Sequence, residues 1–258
     1  MIEAQADART QRPSAAEVTV RGDLERLFHG SPIEGHDRLE QLELYLRPQL
    51  LAHIFALSEL YRKILDVHGV VLDLGTRYGR NMVTFSSLRR YYEPFNHFRR
   101  IVGFDTFSGF PESSISATDT KDGQDGSLAS HGMFGVPAGY RAHLSELMRV
   151  HEQDSPLSHI VRHEIREGDI ETELPRYFAE NPETIVALAY FDLDLYQPTK
   201  VALEQILPHT TKGTILALDE PTHPMYPGET VAFKEVLDLR RYPLHRDPHQ
   251  PQPAYVVL

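Results

Sequence analysis

Two apolar runs in the chain end in acid. Ile185-Val186-Ala187-Leu188-Ala189-Tyr190-Phe191 leads into Asp192-Leu193-Asp194-Leu195-Tyr196, and Gly213-Thr214-Ile215-Leu216-Ala217-Leu218 leads into Asp219-Glu220. A run of about seven apolar residues, rich in branched side chains and too short for a helix, reads as a strand buried on both faces. If the two strands lie side by side and parallel, their tips are roughly 5 Å apart. Three or four carboxylates then crowd one sheet edge. Such a cluster repels itself unless a cation or shared protons neutralise it, and hard oxygen ligands suit Mg²⁺ or Ca²⁺.

The elements that must position these acids alternate in type. Val70-Val71-Leu72-Asp73-Leu74-Gly75 reads as a strand ending at glycine, and Thr76-Arg77-Tyr78-Gly79-Arg80 turns into a helix from Asn81 to about Tyr92. Ile101-Val102-Gly103-Phe104-Asp105 is the next strand, closed by an acid. A helix is expected from about Tyr140 to Glu152, a strand near Ile160–Glu167 ending in Gly168-Asp169, and a short helix over Leu174–Glu180. Another helix starts near Gln197-Pro198-Thr199, one follows at Glu229–Leu239, and Ala254–Leu258 is a terminal strand. Strands alternating with helices imply a doubly wound, mostly parallel sheet.

Two stretches stand outside that pattern. Residues 1–20 are polar and aperiodic and are expected to be flexible. Residues 21–67 form a helical extension, with apolar residues at three- and four-residue steps on either side of Pro48. It carries more apolar surface than one face of a sheet requires, which suggests a lid or a homodimer contact. Residues 68–258 make the main α/β domain, interrupted by a Ser-, Gly- and Asp-rich insert at 111–140.

Bulk composition narrows the function. With 258 residues and 41% hydrophobic content the chain can bury a real core. The absence of cysteine excludes disulfides, thiolate zinc sites and cysteine nucleophiles. A formal charge of −11 argues against a nucleic-acid partner. No run approaches a membrane span and the start is not a signal peptide, so a cytoplasmic location is expected.

In open parallel sheets, ligands bind beyond the carboxyl ends of the strands where the strand order reverses. The Asp73–Gly79 turn lies at such an end; Gly75 and Gly79 allow close backbone approach, and the following helix offers free N–H groups. Asp105 is placed to accept hydrogen bonds from ribose hydroxyls, and Asp169 would lie on the adenine side. Each has a plainer alternative, Asp105 as a solvated strand end or helix cap and Asp169 as a turn residue.

The glycine turn, Phe104-Asp105-Thr106-Phe107-Ser108-Gly109-Phe110-Pro111, Asp192-Leu193-Asp194-Leu195-Tyr196 and Asp219-Glu220 occur in that order. Together, over roughly residues 65–240, they resemble the macrocin and mycinamicin type of metal-dependent sugar O-methyltransferase. The resemblance implies a class I fold with a seven-stranded sheet, S-adenosylmethionine (SAM) as methyl donor, Mg²⁺ at the acidic tips and a sugar hydroxyl as acceptor. It places SAM around Asp73, Gly75, Thr76, Gly79, Asp105, Thr106, Phe107 and Asp169. This chain departs from the family at its first loop, which lacks a second glycine beside Gly79, and in having Asp219-Glu220 where paired aspartates are usual.

Methyl transfer to a hydroxyl needs an aligned donor and acceptor and removal of a proton, and a divalent ion assists by lowering the hydroxyl's pKa. Asp192, Asp219 and Glu220 are the candidate metal ligands and Asp194 the candidate base. Asp192 and Asp194 could exchange roles, since they share a face only if the strand runs through both. Asp194 has an alternative role as the cap of the next helix. His223 is a third catalytic candidate, although most of the fourteen histidines must be bystanders. Arg77, Tyr78, His131 and Tyr140 are candidates for the acceptor pocket. The competing readings are a catechol-type O-methyltransferase, a non-catalytic SAM or nucleotide binder, a dinucleotide oxidoreductase and an aspartyl-phosphate phosphatase.

Overall fold

The structure, a computed structural model, describes residues 14–119, 129–224, 226–248 and 252–258. The chain divides into two compact units, Met1–His53 and Ile54–Leu258. In the first, Ser14 caps helix α1 (Ala15–His29): its Oγ accepts the Glu17 N–H at 3.2 Å, and its own N–H donates to Glu17 Oε2 at 2.8 Å. Residues 15–20 are therefore helical, and the Ser-x-x-Glu box is the signal that an apolar-period reading passed over; residues 1–13 lie outside the described residues. Helix α2 (Gly35–Leu39) and a 3₁₀ turn at Leu42–Tyr45 follow, and the Phe28 ring meets Tyr45 edge-on at 5.1 Å. Pro48 stands at the break between that turn and α3 (Pro48–Lys63), as the first residue of the new helix, where a missing N–H costs nothing.

The second unit is built on seven strands in the order β3-β2-β1-β4-β5-β7-β6. They are β1 (Val70–Leu74), β2 (Ile101–Asp105), β3 (His163–Glu167), β4 (Val186–Phe191), β5 (Thr210–Leu218), β6 (His245–Arg246) and β7 (Ala254–Val257). The first five are mutually parallel, while β7 runs antiparallel to β5 and to β6. The order reverses between β1 and β4, so the switch point falls where the ligand site was expected. Connecting helices are α4 (Arg80–Tyr92), α5 (Tyr140–Gln153), α6 (Ile170–Glu180), α7 (Tyr196–Ile206) and α8 (Gly228–Val236).

Alternation along the strands feeds two cores. Leu72, Leu74, Phe191, Leu216 and Leu218 pack with Leu174, Leu203 and Phe233 of α6, α7 and α8. Val71, Tyr190, Ile215 and Ala217 pack on the other face with Leu57, Phe85 and Leu144 of α3, α4 and α5. The apolar runs that suggested doubly buried strands are those of β4 and the second half of β5. β5 starts earlier than expected because Thr210 pairs with Val186, and β6 is too short and polar to show a pattern.

A buried charge network ties α4 and α5 to the strand side opposite the cavity. Glu152 accepts from Arg89 at 2.9 and 3.0 Å and from Arg162 at 2.8 and 3.0 Å, and all three side chains are buried. Burial alone would raise the Glu152 pKa, but hydrogen bonding with His163 and the Arg89 and Arg162 charges outweigh it and hold it at about 2. Since the folded pKa lies below the ordinary 4.5, this carboxylate stabilises the fold fully above that value and loses its contribution as pH falls toward 2. Glu152→Gln should cost about 3–5 kcal/mol, because it strands two buried guanidinium groups. It should also flatten the decline in stability over that acid window. Denaturant titrations of both proteins across that window check it; parallel stability–pH curves would contradict it.

Candidate active site

The carboxyl ends of β1, β2, β4 and β5 open into a cavity of about 260 Å³. Its lining includes Gly75, Arg77, Asp105, Thr106, Asp169, Asp192, Asp194, Asp219 and Glu220. Phe191 pairs with Leu74 on one side and with Leu218 on the other, so the residues after these strands emerge level. Asp192 N–H donates to Leu74 O at 2.8 Å and Asp219 N–H to Phe191 O at 2.9 Å, which carries the ladder one residue into the acids. Glycine is required at 75 by φ +91° and by space: a Cβ there would stand 1.9 Å from the Asp192 carbonyl oxygen.

On the β1–β2–β3 side, Asp105 Oδ2 accepts the Arg77 N–H and Oδ1 the Phe107 N–H, both at 2.6 Å. Burial raises the Asp105 pKa against these two hydrogen bonds. Asp169 combines its two readings, lining the cavity and capping α6 by accepting the Glu171 N–H at 3.0 Å. The other predicted cofactor contacts do not line the cavity. Asp73 is fully buried, with Oδ1 accepting from Asn81 Nδ2 at 3.0 Å, and burial pushes its pKa to about 6. Thr76 Oγ1 donates to Asp73 O at 3.1 Å. Gly79 is the left-handed N-cap of α4, and Phe107 is buried in the second core. These four shape the loops; alternation and motif position cannot distinguish that from touching a ligand.

On the β4–β5 side the acids are crowded and short of counter-charge. Burial, then Asp219 and Asp194, push the Asp192 pKa well up; burial, then Glu220 and Asp219, push Asp194 to about 8, opposed by Arg77. Burial and Asp219 raise Glu220 to about 7. Asp194 has φ +61°, and Leu195 N–H donates to Leu193 O at 2.6 Å, making Asp194 the centre of a three-residue turn. Backbone strain of this kind gathers at functional sites. Asp194 does not cap α7: the N-cap is Leu195, without a side-chain hydrogen bond, and the Tyr196 N–H is accepted by Asp119.

The expected grip on a dication is not assembled. Among the described residues, no group of three or more His, Cys, Asp or Glu is placed to hold a metal ion. Asp219 Oδ1 is taken by the Tyr190 hydroxyl, and Glu220 Oε2 is buried 3.6 Å from His223 Nδ1. The donor chemistry nevertheless fits a hard cation: all carboxylate oxygens, pKa values raised at Asp192 and Glu220, and a Glu220 oxygen without a hydrogen-bond partner. His223 stacks on Tyr226 at 5.4 Å and does not line the cavity.

The remaining wall is aromatic, and sequence reading missed most of it. Phe110, Met133, Phe134 and Tyr226 line the cavity, with Phe134 edge-on to Phe110 at 5.3 Å. The Arg77 guanidinium lies 5.0 Å from both the Tyr78 and Phe134 rings. Thus both described legs of the 111–140 insert border the site, while residues 120–128 lie outside the described residues. Of the acceptor candidates only Arg77 lines the cavity; His131 Nδ1 lies against Phe110 O at 3.1 Å, and Tyr140 Oη donates to Tyr78 O at 3.2 Å.

Strand order, helices on both faces and a cleft at the β1–β4 switch define a class I SAM methyltransferase fold. A crystal structure of CalS11, described as a calicheamicin methyltransferase, is 43% identical, covers 98% of this chain and 97% of its own, and has a TM-score of 0.92. The apo structure of CalS11, described as a TDP-rhamnose 3'-O-methyltransferase of calicheamicin biosynthesis, is 40% identical over 95% of this chain and 96% of its own, with a TM-score of 0.83. The O-methyltransferase NovP, at 17% identity, 80% and 78% coverage and TM-score 0.55, shares the fold. No family model and no curated protein matches the chain. The chain belongs to the same family as CalS11 and is a SAM-dependent O-methyltransferase. That membership removes the oxidoreductase, phosphatase and non-catalytic readings. Among the described residues no helix is long and apolar enough to cross a membrane.

Gly75→Ala should destabilise the protein by about 3 kcal/mol or more, through the positive φ and the clash with the Asp192 carbonyl. An unchanged denaturation midpoint would contradict it.

Proposed function

We propose that the enzyme methylates a sugar hydroxyl in natural-product biosynthesis, with a nucleoside-diphosphate-linked sugar as the first acceptor class to test. The family resemblance of the acidic motifs and the description of CalS11 as a TDP-rhamnose 3'-O-methyltransferase support the sugar. The observation that carries the reading is one cavity holding both the Gly75–Asp105–Asp169 edge and the Asp192–Asp194–Asp219–Glu220 edge. A methyl donor on the first edge lies beside groups that bind and deprotonate a hydroxyl on the second.

The roles follow from position. Asp105 accepts from the ribose hydroxyls with the lone pairs its two backbone hydrogen bonds leave free, and Asp169 borders the adenine side. Gly75 lets the donor approach the backbone, while Asp73, Thr76, Gly79 and Phe107 hold the loops that border it. Thr106 completes the edge. Asp194 is the general base: enclosure and neighbouring acids keep its proton affinity high, so it takes the hydroxyl proton as the oxygen attacks. The Phe110–Phe134–Tyr226 wall excludes water and offers apolar faces to the acceptor. His223 supports Glu220 from outside the cavity. SAM, when bound, supplies the methyl on a sulfonium and leaves as S-adenosylhomocysteine. Asp192, Asp219 and Glu220 would hold Mg²⁺, which would polarise the acceptor hydroxyl.

Incubation with SAM and a panel of TDP-linked deoxysugars, followed by mass spectrometry, tests the reading. S-adenosylhomocysteine formed together with a methylated sugar is expected; methylation confined to catechols would overturn it. Asp194→Asn should lower kcat by about 10²-fold or more while S-adenosylhomocysteine still binds. Metal dependence has its own test: EDTA dialysis should abolish turnover and Mg²⁺ restore it, and undiminished turnover in EDTA would remove the cation from the proposal.

A further inference from the structure

The candidate base sits on a strained turn between two fixed points. One is β4, whose ladder ends at Asp192. The other is the first residue of α7, Tyr196, whose N–H has no cap from its own segment. Asp119, far upstream in the insert, supplies that cap with Oδ1 at 2.8 Å. Its Oδ2 accepts the Ser116 N–H at 2.8 Å and the Ser116 hydroxyl at 2.6 Å. The carboxylate is only 4% exposed, and a negative charge is favoured at a helix N-terminus.

The junction has no slack. Gly228 opens α8 beside it, and a Cβ on that glycine would stand 2.1 Å from Asp119 Oδ1 and 2.4 Å from the Tyr196 nitrogen. Segments around 119, 196 and 228 thus meet without room for one methyl group. Removing the Asp119 carboxylate leaves a Tyr196 N–H unpaired and frees the start of α7. Asp194, held at φ +61° two residues earlier, then loses the fixed point on its downstream side.

We propose that Asp119 is a positioning residue for Asp194: by capping α7 through the Tyr196 N–H, it fixes the turn that presents Asp194 to the acceptor. The inference rests on the reading of Asp194 as general base. A displacement of about 1 Å at a reacting group costs about 10²-fold in rate. Asp119→Ala should therefore lower kcat by about 10²-fold, with KM for SAM and affinity for S-adenosylhomocysteine within about twofold of wild type. Asp119→Asn, which keeps an acceptor for Tyr196, should recover most of that loss. Gly228→Ala, which pushes on the same carboxylate, should resemble Asp119→Ala and serves as the second variant if that protein folds poorly.

The decisive measurement is a double-mutant cycle. In an Asp194→Asn background, Asp119→Ala should cost less than about threefold in kcat, because the group it positions is already disabled. Additive losses, a kcat within about twofold of wild type in folded Asp119→Ala, or cofactor affinity falling in step with kcat would each overturn the inference. Full turnover by Asp194→Asn alone would instead overturn the reading of the base, and the inference with it.

Discussion

Leu74, Phe191 and Leu218 stand level across three adjacent parallel strands, and the site depends on that register. It delivers the glycine turn after β1, the acids after β4 and the acids after β5 to one edge. Gly75 is so close to the Asp192 carbonyl that no side chain fits between them. The cofactor edge and the acidic edge are therefore parts of one backbone contact. A one-residue slip of β4 would turn its apolar side chains to the wrong layers and move Asp192 away from Gly75.

That register also concentrates like charge in a confined space, which works against folding. The molecule offsets it elsewhere. Doubly buried strands feed two apolar cores, and the Arg89–Glu152–Arg162 network pairs its charges with close hydrogen bonds. Near the cavity the balance differs: Asp192, Asp194, Glu220 and Glu229 all have raised pKa values, with burial the first cause in each. Among the described residues, the non-glycine residues at positive φ are Arg77, Phe107, Phe134, Asp194 and Thr222. Each lies in a loop beyond the carboxyl end of a strand or in the insert that borders the cavity. Strain and uncompensated charge share one edge, as expected where a fold gives up stability for chemistry.

The parts legible in the sequence were those set by local pattern. Six of the seven apolar residues that run into acid do form β4, and the Asp-Leu-Gly turn does close β1 at the switch point. The burial of Asp73, Thr76, Gly79 and Phe107 was not legible, because whether a motif residue touches a ligand or braces its loop depends on packing. The aromatic wall escaped for a related reason: Phe110, Phe134 and Tyr226 are separated in sequence and share no period. The start of helix α1, residues 15–20, was missed because, with no buried residue, the helix has no strong apolar stripe to detect.

Asp192 and Asp194 illustrate the limit most clearly. Alternation assigns them to one face only while the strand continues, and β4 stops at Phe191. Beyond it, the Leu193–Leu195 hydrogen bond and a positive φ determine where Asp194 lies, and no residue pattern encodes that turn. Locally, Asp194 has the composition and position of a helix cap, yet Asp119 performs that role from a distant segment. The substitution of one acid for another releases Asp194 from capping and leaves its carboxylate to the cavity. A nearby residue with capping propensity can thus be spared for chemistry when tertiary structure supplies the cap.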